Sequence, residues 1–197
     1  VCAGLALFGT TVGFAQTQTP TQEQQKAMEE AMKMAMAVTE NHALLAQFVG
    51  RWDAAATDWA APGAAPEKSR GSSEADSLFG GRFVWEYFKG SMMNMPFEGM
   101  SITGYDNMQK KYCLFWIDNT STAFNLFSGN YDPAKKAFAY TSKWENPMGG
   151  TTSVRMTIRV VSPDEHIQEM YMPGPDGKDY KSMEIVYTRV KKTSGAA

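Results

Sequence analysis

The sequence predicts an all-β fold: an antiparallel up-and-down β-barrel of about ten strands, preceded by one or two N-terminal helices. Three observations carry that reading. From Gly50 onward aromatic and β-branched residues rise and alternate with polar ones. Turn residues recur at roughly ten-residue spacing with no helical stretch between them, which describes consecutive antiparallel strands. A single sheet of that many strands must curl, and closing it removes the exposed edges. A two-sheet sandwich is the alternative.

The elements follow in order. Residues 1–15, VCAGLALFGTTVGFA, carry no charge and end in a small-x-small pattern before a polar stretch. This is read as the back half of a secretory signal peptide, too short to span a bilayer as a helix. A buried N-terminal strand or helix is the plain alternative. If cleavage follows Ala15, Cys2 is lost and Cys113 is the only thiol, so no intrachain disulfide can form. Residues 16–39 are read as linker and helix. Within them, 22–38 are all good helix formers bar the terminal Val38, and Thr21 with Gln24 resembles a capping box. Met28, Met32 and Met36 share one helical face. A second short helix over 41–49 sets Leu44, Leu45 and Phe48 on one side and stops at Gly50.

The barrel domain is placed at 40–192, with a tail at 193–197. Strands are expected at 82–88, 99–105, 111–117, 123–131, 137–144, 153–161, 166–172 and 181–190, with weaker ones at 51–58 and 68–78. The turns have their own chemistry: Asp106-Asn107, Asp132-Pro133, Asn146-Pro147 with Gly149-Gly150, Pro163-Asp164, and Gly174-Pro175-Asp176-Gly177. Two of them echo each other, Tyr105-Asp106 before Lys110-Lys111 and Tyr131-Asp132 before Lys135-Lys136, as a repeated hairpin or a shared turn solution. On 153–161, Val154, Met156, Ile158 and Val160 oppose Arg155, Thr157 and Arg159, so one face is dry.

Composition excludes several function classes. The chain has 197 residues, fitting one domain, with 43% apolar residues, which rules out a disordered chain. Net charge is −2 with no block of one sign, so the footprint of a nucleic-acid binder is missing. With Cys2 lost, one Cys and two His cannot close a zinc shell. There is no Gly-x-Ser-x-Gly elbow, His-Glu-x-x-His pair or phosphate loop, so no catalytic residue and no resident metal are assigned. His42 and His166 are read as structural or surface residues rather than bases.

A barrel of this size holds one small ligand or is filled by side chains. The interior candidates are Trp85, Tyr87, Met100, Ile102, Trp116, Asp118, Phe138, Tyr140, Met156 and Tyr187. They read equally as an aromatic, Met-lined pocket for an apolar or amphipathic molecule and as an ordinary packed core. Asp118, Tyr105, Tyr187 and Arg189 would supply orientation, although Asp118 sits at a strand end where it would also cap a turn. Met92, Met93 and Met95, and Met32, Met34 and Met36, gather thioethers that suit Cu(I); helix packing and an exposed hairpin tip are the plainer readings. The polar face of the first helix is mixed rather than basic, which favours a partner helix or a lid over the barrel mouth against membrane adsorption.

The ordered set His42-Ala43-Leu44-Leu45, Gly50-Arg51-Trp52, Gly80-Gly81-Arg82-Phe83, Pro96-Phe97-Glu98-Gly99, Gly104-Tyr105-Asp106, Trp116-Ile117-Asp118, Gly129-Asn130-Tyr131-Asp132, Asp176-Gly177-Lys178, Met183-Glu184-Ile185 and Tyr187-Thr188-Arg189 resembles a family of secreted bacterial proteins of unknown function, number fifteen seventy-nine. The resemblance covers about 40–190 and implies a periplasmic or secreted protein with no activity to transfer. Gly50-x-Trp52 after a short helix also resembles the first strand of lipocalin-type (calycin-like) barrels, and ten strands fit their fatty-acid-binding variant. That likeness implies that Trp52 plugs one end and that a basic residue of the last strand, here Arg189, lies over its ring. Some barrels of that variant hold haem through one His, which makes His166 a narrow candidate; no cofactor is assigned. Three functions stay open: a ligand-binding barrel, a packed interaction module whose helix docks a partner, and an enzyme at the barrel mouth.

Overall fold

Alternation along each strand is realised as a closed meander in which every neighbouring pair is antiparallel and consecutive in sequence, except where the last strand meets the first. The computed structural model describes residues 20–93, 95–146 and 149–191. Residues 1–15, read as a signal peptide, the tail 193–197, Asn94, Pro147 and Met148 lie outside the described residues. The barrel strands are β1 (Gly50–Asp58), β2 (Glu67–Leu78), β3 (Phe83–Met92), β4 (Met95–Asp106), β5 (Lys111–Asp118), β6 (Asn125–Asp132), β7 (Ala137–Glu145), β8 (Thr151–Ser162), β9 (Glu165–Pro173) and β10 (Asp179–Arg189). Both weaker strand assignments hold, as β1 and β2. The barrel closes with Trp52 directly opposite Arg189.

Two helices precede it, α1 (Gln22–Met36) and α2 (Glu40–Ala43), the latter running into a 3₁₀ turn, Leu44–Phe48. Thr21 and Gln24 form the expected capping box on α1. That helix has no buried residue, and Met28, Met32, Met34 and Met36 are all exposed. Its C-terminal carbonyls are held by the barrel: Asn107 Nδ2 donates to Met34 O (2.9 Å) and Ala37 O (2.8 Å), and Arg82 Nη2 donates to Met36 O (2.9 Å). These anchors come from the β2–β3 and β4–β5 turns, at the end where α2 and the 3₁₀ turn sit. The helix is therefore fastened at the plugged end and is no lid over the mouth.

α2 and the 3₁₀ turn plug the barrel. Leu45 is 1% exposed and belongs to a cluster with Tyr112, Leu114, Phe127, Phe138, Tyr140 and Met156. His42 is structural: its Nδ1 accepts from Thr39 N (3.1 Å), and its ring meets Tyr105 edge-on. The echoed turns are one solution used twice. Asp106 Oδ1 accepts from Met108 N and Gln109 N, Asp132 Oδ1 accepts from Ala134 N and Lys135 N, and each turn ends in a left-handed lysine, Lys110 (φ 54°) and Lys136 (φ 50°).

Four interior assignments are corrected. Trp85, Tyr87, Met100 and Ile102 point outward, and Val84, Glu86, Phe88, Ser101 and Thr103 take the inner face of β3 and β4. The outward residues are half-buried because they cover one another: Trp85 pairs with Ile102, Tyr87 with Met100, Ile102 with Phe115 and Met100 with Ile117. Cross-strand neighbours on one face lie about 5 Å apart, so a band of large side chains hides its own surface without facing the core.

Candidate functional site

The interior is not filled. A cavity of about 900 Å³ runs up from the plug. Its mouth is at the other end, bordered by Met92, Thr120, Ser121, Phe124, Glu145 and Met172. That volume lies within the usual range of small-molecule sites. Trp116, Asp118, Tyr140, Met156 and Tyr187 line it as expected, and Phe138 lies beneath it, fully buried in the plug cluster. Sequence reading missed Glu86, Phe88, Phe127, Trp144 and Met170. Cross-strand partners share a face, so the chain Trp52–Ser73–Phe88–Gly99 would have carried the inner face from β1 to β4, given the register.

The floor is the closure itself. The Arg189 guanidinium lies 4.0 Å from the centre of the Trp52 ring. Each of its three nitrogens donates to a backbone carbonyl: Nη1 to Val49 O (2.7 Å), Nη2 to Gln47 O (2.7 Å) and Nε to Pro163 O (2.9 Å). Trp52 Nε1 donates to Phe48 O (2.8 Å). Gly50 is required here, since it adopts φ +134° and a Cβ would stand 2.6 Å from Arg189 Nη1. This is the physical meaning of the Gly-x-Trp pair.

Just above lies a polar group set in apolar walls. His166 is stacked on Tyr187 (4.4 Å between ring centres) and meets Trp52 (4.4 Å) and Phe48 (5.1 Å) edge-on. Burial and the nearby Arg189 guanidinium hold its imidazole down at about 3, so it is neutral. Glu86 projects from β3 into the same space, flanked by Ala75 and Ser101. Burial pushes its carboxyl upward, with the Ser73 hydroxyl pulling weakly the other way. Burial and the neighbouring Glu86 together push the Tyr187 phenol well above its ordinary value. Glu86 keeps some accessible surface, but what it is exposed to is the cavity. Among the described residues, His166 Nδ1 and Trp144 Nε1 are buried without a hydrogen-bond partner.

Nearer the mouth, Asp118 ties down Trp116. It accepts from Trp116 Nε1 (2.8 Å) and Thr120 N (2.9 Å). Burial raises its carboxyl, but those bonds and one from the Thr120 hydroxyl outweigh it, leaving the group below the usual carboxylate range. Asp118 therefore both caps its turn and fixes a cavity wall. Gly99 allows this, because a Cβ there would stand 2.2 Å from the Trp116 ring. Tyr105 packs on Tyr112 in the plug and lies outside the cavity. The methionine clusters are at opposite ends, Met92 and Met95 at the mouth and Met34 and Met36 at the plug. Among the described residues no three His, Cys, Asp or Glu side chains group as metal ligands would, and no helix is long and apolar enough to cross a membrane.

The model of the family described as "Protein of unknown function (DUF1579)" matches residues 37–189. No curated protein matches the chain. Among solved structures, Rv2717c from M. tuberculosis is similar at TM-score 0.59 and 11% identity, covering 79% of this chain and 100% of that one. The S-type phycobiliprotein lyase CPES from Guillardia theta is similar at TM-score 0.54 and 12% identity, covering 83% and 98%. At such identities the likeness is one of fold.

Proposed function

The chain belongs to the DUF1579 family of proteins of unknown function, so we propose its role from the site alone: it binds one small apolar or amphipathic molecule inside the barrel. The observation that supports this most is the cavity of about 900 Å³, closed at one end, with the Glu86 carboxyl projecting into it from β3. A fully packed module would need side chains where this space is. The similarity to a phycobiliprotein lyase adds a precedent for the fold and no substrate. For the compartment we propose the periplasm or the medium, on the apolar segment 1–15 and its small-x-small end; cell fractionation tests that.

Native mass spectrometry of the protein purified from its own host tests the binding role. The expected spectrum has one non-covalent adduct that is lost on denaturation. A bare chain under gentle conditions counts against the reading.

A second reading attaches to α1, which shows four exposed methionines and no buried residue. Such a helix suits docking to an apolar partner groove. Removing residues 20–36 would then abolish partner capture while leaving ligand uptake intact.

A further inference from the structure

The charges along the cavity differ in sign from what a fatty acid or other anion needs. Among the described residues that line it, the acids are Asp58, Glu86, Asp118 and Glu145, and the only lysine or arginine is Lys143, on the rim. Asp58, Asp118 and Glu145 are at the mouth ends of their strands, and Glu86 alone is deep. His166, the other titratable base at the floor, is neutral and sandwiched between rings. Arg189 is beneath the floor with its donors committed to three backbone carbonyls. An anionic head reaching the floor would therefore meet a carboxyl and no free cation, which is costly in an apolar enclosure.

We propose that the floor recognises a protonated amine: Glu86 pairs with the ammonium head of the ligand, and the Tyr187 and Ser101 hydroxyl oxygens offer acceptors around it. This rests on the ligand-in-barrel reading above and names the head group for it. Three features of the site fit together. Glu86 and Tyr187 both line the cavity near its floor, and Ser101, opposite Glu86 across the β3–β4 pair, lines it beside them. An ammonium carries three donors and no acceptor, the complement of a set rich in lone pairs. The walls above are apolar: Phe88, Met156, Ile185 and, towards the mouth, Phe97 and Met172. From Glu86 to Met92 the barrel extends roughly 15 Å along its axis at ~3.3 Å per residue and ~40° strand tilt. An extended alkyl chain of about ten carbons has that length. The acidic rim would draw a cation inward.

The test is a calorimetric titration of the full chain at pH 7 with three probes of equal length, decylamine, decanol and decanoate, repeated on Glu86→Gln. The expected order puts decylamine at least tenfold tighter than either other probe, since a charge-assisted hydrogen bond in a buried site is worth about a factor of ten or more. Glu86→Gln should remove that preference, bringing decylamine to within about threefold of decanol. Decanol or decanoate equalling decylamine on the unmodified chain overturns the amine assignment while leaving the cavity reading intact, and this comparison does not depend on the variant folding. Decylamine binding that survives Glu86→Gln overturns it too. If none of the three probes binds, the ligand-in-barrel reading itself fails.

Discussion

At the plugged end Arg189 directs its donors to the carbonyls of Gln47, Val49 and Pro163, and Trp52 donates to Phe48. On the cavity side of the same layer, the Glu86 carboxyl projects from β3 into the open space, flanked by Ala75 and Ser101. Packing differs in the same way. Trp52, Phe138, Leu45 and Tyr112 are 2% exposed or less, whereas the inner surfaces of Glu86, Trp116 and Met170 face open space. One region meets the requirements of a stable core. The other leaves volume unfilled, as binding sites do. The contrast teaches that the Gly-x-Trp and Arg189 signature belongs to closure, and that function is to be sought above it.

Variants can break this division, and the largest effect should come from the plug. Trp52→Ala removes a fully buried indole and the platform for Arg189, and should cost about 3–5 kcal/mol in denaturant unfolding. Acid comes next. Folded His166 titrates at about 3, whereas an unfolded histidine titrates near ~6.5. Between those values the unfolded chain takes up a proton that the folded chain refuses, so stability should fall by a few kcal/mol as pH drops through that window and level off below it. Urea melts from pH 7 to pH 3 would show the slope, and His166→Leu should flatten it.

Gly50→Ala should cost roughly 1–3 kcal/mol, because alanine at φ +134° is strained and its Cβ meets the guanidinium. The smallest effect has the opposite sign and sharpens the comparison most. Glu86 has its carboxyl raised, so its penalty to the empty protein is absent below about pH 4.5, where unfolded glutamate is also protonated, and grows as pH rises. Glu86→Gln should therefore raise the melting temperature by a few degrees at pH 8 and change little at pH 4. A residue that stabilised the plug would behave the other way.

Much of the fold could be read from residue pattern. Turn chemistry located all ten strands, and the echoed Asp106 and Asp132 turns proved to be one structure used twice. The capping box of α1 was legible because it is local. The interior was readable where apolar and polar residues separate cleanly, as on β8 and β10. It was misread on β3 and β4, where Trp85, Tyr87, Met100 and Ile102 outweigh Val84, Glu86, Ser101 and Thr103 in hydrophobicity yet face outward. Hydrophobicity identifies the inner face only when the inside is a dry core and the outside is bare. Here the inside is partly polar and the outside is covered by its own side chains. Only register, which passes the inner face from Trp52 through Ser73 and Phe88, resolves the parity.

The central claim, a hollow barrel that takes a small molecule through one end, is tested most directly by Nile red titration of the full chain beside Ser101→Trp, whose new indole would project from a buried inner position into the cavity. The account predicts saturable, blue-shifted emission with one dye per chain, lost in the folded variant. No uptake by the unmodified chain, or equal uptake by both, would contradict it.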